Sequence, residues 1–140
     1  MSLGHINAPK RVVVAAVLSG APSTVVALVS GDDVLAATRA AGTLVPGRRY
    51  RPGVVAGVAV HAVLSLWWGA VLTAVVRRLG GGAVTGVLAG AAVAALDLGV
   101  VARRYPAVRA LPRGPQWADH LVFGAVVGGT VPSCRSTRSR

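Results

Sequence analysis

Polar residues interrupt this chain at only a few places, and between them apolar sequence runs almost unbroken. The longest run, residues 53–76, reads GVVAGVAVHAVLSLWWGAVLTAVV and contains no carboxylate, lysine or arginine; Arg51 stands before it and Arg77-Arg78 behind it. Its 24 residues, at ~1.5 Å each, predict a helix about 36 Å long, enough to cross a bilayer core of about 30 Å. Every fourth position along it is small or hydrogen-bonding: Gly53, Gly57, His61, Ser65, Gly69 and Thr73. Such a row occupies one helix face, the face a membrane helix turns toward its neighbours.

The same spacing recurs on either side. Residues 12–30 form a first predicted span, with Ala15, Ser19, Ser23, Ala27 and Gly31 in phase. Pro22 lies inside it and is expected to kink it, leaving the Leu18 carbonyl without its partner and Ser19, Ser23 and Thr24 to satisfy the loosened backbone. Lys10-Arg11 and the apolar stretch after them imitate the start of a signal peptide, but no small-x-small cleavage site follows and apolar sequence resumes after Pro22. Residues 34–45 are too short to span and carry Arg39; with Asp33 as N-cap they predict an interfacial or partly re-entrant helix. Gly80-Gly81-Gly82 predicts a tight turn into a third span at 83–102, whose row is Gly82, Gly86, Gly90 and Ala94. That short turn makes the second and third spans antiparallel and predicts a closely packed hairpin of the two. Residues 103–116, with three prolines, read as a surface loop. A fourth apolar segment at 117–132 has its own row of His120, Gly124 and Gly128, but its 16 residues fall short of the ~20 of a full span. A polar lead at 1–11 and a basic, disordered tail at 133–140 complete the reading. The expected fold is therefore all-α, a polytopic membrane helical bundle of about four segments in a single domain.

Composition supports this and narrows the partners. Hydrophobic residues make up 54% of the chain and charged ones only 14%, with a mean hydropathy of +0.64; a water-soluble domain is not expected. The net charge of +11 comes from 15 Lys and Arg against four acids, all Asp. These cations stand in pairs and triplets at the ends of apolar runs, where they anchor helices to lipid headgroups. No nucleic-acid partner is expected. With four spans, seven Lys and Arg fall on one side and eight on the other, so the positive-inside rule leaves orientation open. Cys134 is the single cysteine and can form no intrachain disulfide.

The residues able to carry chemistry share a depth. By helix rise, Ser23, Thr24, His61, Ser65, Asp97, Asp119 and His120 fall within roughly 15 Å of one membrane face, where Tyr50, Tyr105 and Trp117 form an aromatic belt. Asp97, flanked by apolar sequence, needs a donor, and His61 or Arg103 are the expected ones. A metal held by His61, Asp97, Asp119 and His120 lacks any supporting ligand spacing, and Asp119 and His120 point about 100° apart on a helix. Neither a metal nor any other cofactor is expected. Ser65 and His61 share a face but lack a third orienting group, so no catalytic residue is assigned. Trp67 and Trp68 fall near mid-membrane and read as core or lipid-facing packing rather than a substrate box. Close helix packing is assigned to Gly57, Gly69, Gly86, Gly90, Gly124 and Gly128.

The strings GAPSTVVALVSGDD, AATRAAGTLV, HAVLSLWWGAVL, AALDLGVVARRYPAVRALP and PQWADHLVFGAVVG together resemble a family of small uncharacterised bacterial membrane proteins of high-GC Gram-positive type, similar in outline to the YagU-like inner-membrane group. The resemblance runs to about Gly129, where a basic tail replaces apolar sequence. It implies four hydrophobic segments in a bacterial inner membrane, and no activity or site residue. Two functional expectations follow from the residues themselves. One is a non-enzymatic structural or accessory bundle, self-associating or paired with a membrane partner protein. The other is a small transporter or proton-coupled channel using the His/Asp layer.

Overall fold

A computed structural model describes residues 8–131; the polar positions 1–7 and the tail 133–140, with Cys134, lie outside the described residues. Among those residues there is no strand. The elements are α1 (Ala8–Ser19), α2 (Ala21–Ser30), α3 (Ala36–Ala41) with a 3-10 turn at Gly42–Leu44, α4 (Val54–Arg78), α5 (Ala83–Leu96), a π-helical segment at Asp97–Val101, α6 (Ala102–Arg104), α7 (Pro106–Arg109) and α8 (Arg113–Thr130). Three helical stretches are long and apolar enough to cross a membrane: Val12–Ser30, Val54–Arg78 and Ala83–Arg104. The fourth segment, α8, is 18 residues long and is not among them. Its first two turns carry Arg113, Gln116, Asp119 and His120, and it starts four residues before the expected Trp117.

The first span is two helices rather than one kinked helix. The break falls at Gly20, and Pro22 sits in the first turn of α2, where a missing N–H is no loss because those donors have no intrahelical partner. The hydroxyls nearby serve the joint: Ser19 Oγ donates to the Ala16 carbonyl at 2.9 Å and Thr24 Oγ1 to the Gly20 carbonyl at 2.7 Å. At the other end of α2, Gly31 adopts φ +70°, and the Asp32 N–H reaches back to the Ala27 carbonyl at 2.8 Å. This is a left-handed C-cap that glycine takes without a Cβ penalty.

Asp33 acts slightly ahead of α3. Its carboxylate accepts the Leu35 N–H at 3.0 Å and pairs with Arg39, and the helix begins at Ala36. α3 and the 3-10 turn lie on the first turns of α4: a Cβ at Gly57 would strike the Thr38 carbonyl, and one at Gly42 would strike the Gly53 carbonyl. Ala40, Gly42 and Thr43 are buried there. The glycine row of α4 thus receives two different partners. Gly57 takes α3, and Gly69 takes the Val12 side chain of α1, with 2.5 Å left between Val12 Cγ1 and a would-be Cβ.

The closest helix pair is α5 with α8, not α5 with α4. Gly86, Gly90, Gly124 and Gly128 interlock. A Cβ at Gly86 would collide with the Gly124 carbonyl and one at Gly124 with the Gly86 carbonyl, while one at Gly90 would meet the His120 carbonyl and one at Gly128 the Gly82 carbonyl. The expected α4–α5 hairpin is therefore corrected. Gly80, Gly81 and Gly82 all have positive φ, but the turn they make leaves the α5 row facing α8. The reason is reciprocity: α8 offers glycines at the same four-residue spacing, whereas the α4 row is already occupied by Thr38 and Val12. Above these contacts a small core joins four segments, with Ala15, Leu72, Val93, Phe123 and Val127 in mutual contact and Trp68 packed against them. Trp67, by contrast, is 64% exposed.

Candidate functional site

The polar groups gather where the glycine contacts of α5 and α8 end. Gly90 lies under the His120 carbonyl, and the next turns of the helix widen: the Ala102 N–H bonds to the Asp97 carbonyl, five residues back. Such π segments recur at functional positions. Here the segment begins with Asp97, whose Oδ2 lies 3.1 Å from His120 Nε2. The other ring nitrogen, Nδ1, lies 2.8 Å from the Gln116 carbonyl one turn earlier in α8. With Asp97 ionised, both ring nitrogens face acceptors, and both contacts are then hydrogen bonds together only when the ring carries two protons. Side-chain exposure of 22% for His120 and 29% for Asp97 leaves the pair half-buried. His120 is the partner of Asp97 in place of the expected His61 or Arg103. Sequence distance misled here: Asp97 stands seven residues after Gly90, on the same helix face that packs on α8.

Asp119, the neighbour of His120, points elsewhere, as the ~100° step of a helix requires. Its Oδ1 accepts the backbone N–H of Ser23 at 3.0 Å. Ser23 lies in the first turn of α2, whose own N-terminus carries no side-chain cap; Asp119 supplies from α8 the acceptor that a local N-cap would otherwise give. Ser23 Oγ turns to the Gly20 carbonyl at 3.3 Å. Two adjacent residues of α8 thus clasp two different helices, one through the π segment of the third span and one through the break in the first.

The remaining candidates take different places. His61 is exposed on α4 yet lies within electrostatic reach of Asp119. Ser65 is buried, at 8% exposure, and Thr24 is exposed, with its hydroxyl spent on Gly20. Asp97, His120, Asp119 and Ser23 form the assembled cluster, with His61 at its edge. No group of three or more His, Cys, Asp or Glu placed to hold a metal ion occurs among the described residues. Sequence reasoning did not single out Gln116, whose carbonyl engages His120; the four-residue spacing to His120 was the available signal.

Beside the cluster, the end of α1 and α2 together with α8 leave an open groove of about 760 Å³. Leu18, Pro22 and Val26 form one wall and Pro115, Ala118 and Val122 the other, and its surface is almost wholly apolar. No known protein family matches the chain, and no curated protein or solved structure is detectably similar to it.

Proposed function

We propose that this chain is an integral membrane protein of a bacterial inner membrane, a four-segment helical bundle with a structural or accessory role and no catalysis of its own. The observation that carries the reading is the direction in which side chains face. Glycine, alanine and serine fill the helix–helix contacts, while large aliphatic residues point outward, with Val29 83%, Val55 86% and Val84 76% exposed. Of the three candidate spans, between 11% and 28% of each window is buried inside the fold. Lipid suits such a surface, and in lipid small residues at contacts are what draw helices together. Because the glycine rows are used up within one chain, a homo-oligomer or a membrane partner protein would bind the outer aliphatic faces instead.

Carbonate washing of expressing cells should leave the chain in the membrane pellet. Reporter fusions at Arg78 and Arg140 should report the same compartment, because two further spans separate them; opposite compartments would mean that α8 does not cross. In mild detergent the native complex should exceed the 14.1 kDa of one chain, and a monomer extracted from its native cells would remove the accessory role.

The Asp97–His120 contact at a π segment favours a second reading, a small transporter or proton-coupled channel that moves protons through this layer.

A further inference from the structure

The cations of this chain have almost no counter-charge within it. Four carboxylates exist in all, and three are engaged: Asp33 by Arg39, Asp97 by His120 and Asp119 by the Ser23 N–H. Among the described residues, one end of the bundle collects most of the uncompensated charge. α3 touches α7, which sets the connection between α2 and α4 beside the one between α5 and α8. Arg48, Arg49 and Arg51 come from the first and Arg103, Arg104, Arg109 and Arg113 from the second, all exposed, with Asp32 alone left to oppose them. The groove between α2 and α8 opens at this end. Gly114 and Pro115 belong to its lining, and the exposed Arg113 directly precedes them at the start of α8. From Pro115 to Val122 it follows α8 for about 10 Å.

We propose that this groove is a binding site for one anionic phospholipid, with an acyl chain lying against Ala118 and Val122 and the phosphate held by Arg113. The inference rests on the membrane reading above. An open apolar groove that runs along α8 from its arginine-bearing start matches the two ends of such a molecule. Each Lys or Arg near a membrane surface attracts anionic lipid, whereas a zwitterionic headgroup offers no net charge to attract. A second copy of the chain fits poorly, because two copies inserted in the same sense would bring their arginine-rich ends together.

The test is native mass spectrometry of the full chain released from nanodiscs containing equal phosphatidylglycerol and phosphatidylcholine. The wild-type protein should retain phosphatidylglycerol over phosphatidylcholine by at least about five-fold, which is ~1 kcal/mol for one arginine converted at about 1.4 kcal/mol per decade. Arg113→Gln should lower that preference by about the same factor, and Ala118→Trp, which fills the groove, should lose both lipids. Equal retention by the wild-type chain, an Arg113→Gln variant with undiminished preference, or a lipid-free dimer would each overturn the proposal. A chain that never enters the nanodisc removes the membrane reading together with this one. Incorporation without headgroup preference removes this one alone.

Discussion

Gly86→Leu is expected to push α5 away from α8 and to cost about 3 kcal/mol or more, at the upper end of what overpacking a tight contact produces. The obstacle is backbone rather than a pliable side chain: the first added carbon would collide with the Gly124 carbonyl, and the Gly128 Cα stands 2.8 Å away. Rotamer changes cannot relieve a clash with main chain, so the helices must separate along the whole row. That movement would also lift Gly90 from His120 and Gly124 from Gly86, losing the many small dispersion and Cα–H···O contacts that close approach provides. Gly86→Ala should already show most of the effect. Gly99→Ala serves as the reference, since nothing lies within 4 Å of its would-be Cβ; it should leave stability unchanged. Reversible unfolding in mixed micelles measures both. Because the clash is within one chain, the loss should appear at every protein concentration, and an unaltered midpoint for Gly86→Leu would refute the packing described.

The extent of the helices was legible in the sequence because it depends on local properties. An unbroken apolar run between charged residues gives α4 to within two residues at its end, and Gly31 and Gly80-Gly81-Gly82 punctuate the chain where positive φ is needed. The four-residue rows were equally visible. Which row meets which was not. Gly57, Gly69, Gly86 and Gly124 look alike in sequence, and the outcome turns on what stands opposite: the Thr38 carbonyl, the Val12 side chain, or another glycine row in step. Pro22 illustrates a second limit. A proline in an apolar run reads as a kink, but a break at Gly20, two residues earlier, moves it to a helix start, where it costs nothing.

The candidate site was legible as a depth and not as a set of pairs. Helix rise alone brings Ser23, Asp97, Asp119 and His120 to one level. Pairing them requires the rotation of each helix about its axis, which follows from which glycine row meets which. The step between Asp119 and His120 was the readable part: it argued against both ligating one ion, and the two residues do turn to different helices. Together they make α8 the element on which the first and third spans converge. This is a large share of the interior contacts for a helix that is too polar at its start to rank among the candidate spans.

Asp97→Leu is expected to destabilise the bundle by about 1–2 kcal/mol, near the top of the range for hydrogen bonds between membrane helices, because it leaves His120 Nε2 facing an apolar side chain. His120→Leu should cost a similar amount. The double variant should cost less than the two together, with a coupling of about 1 kcal/mol that a double-mutant cycle in mixed micelles would read. Independent losses would show that the 3.1 Å contact contributes little. Asp97→Asn separates the two functional readings. An asparagine oxygen still accepts from the imidazole, so the helix pair keeps its clasp, but the side chain can no longer bind and release a proton. A structural bundle should therefore tolerate Asp97→Asn with its unfolding midpoint within about 0.5 kcal/mol of the parent. A proton-coupled channel should keep that stability and lose pH-driven flux in proteoliposomes, at least ten-fold. Flux that is absent from the parent protein under any gradient leaves Asp97 and His120 as the clamp that fixes α5 on α8.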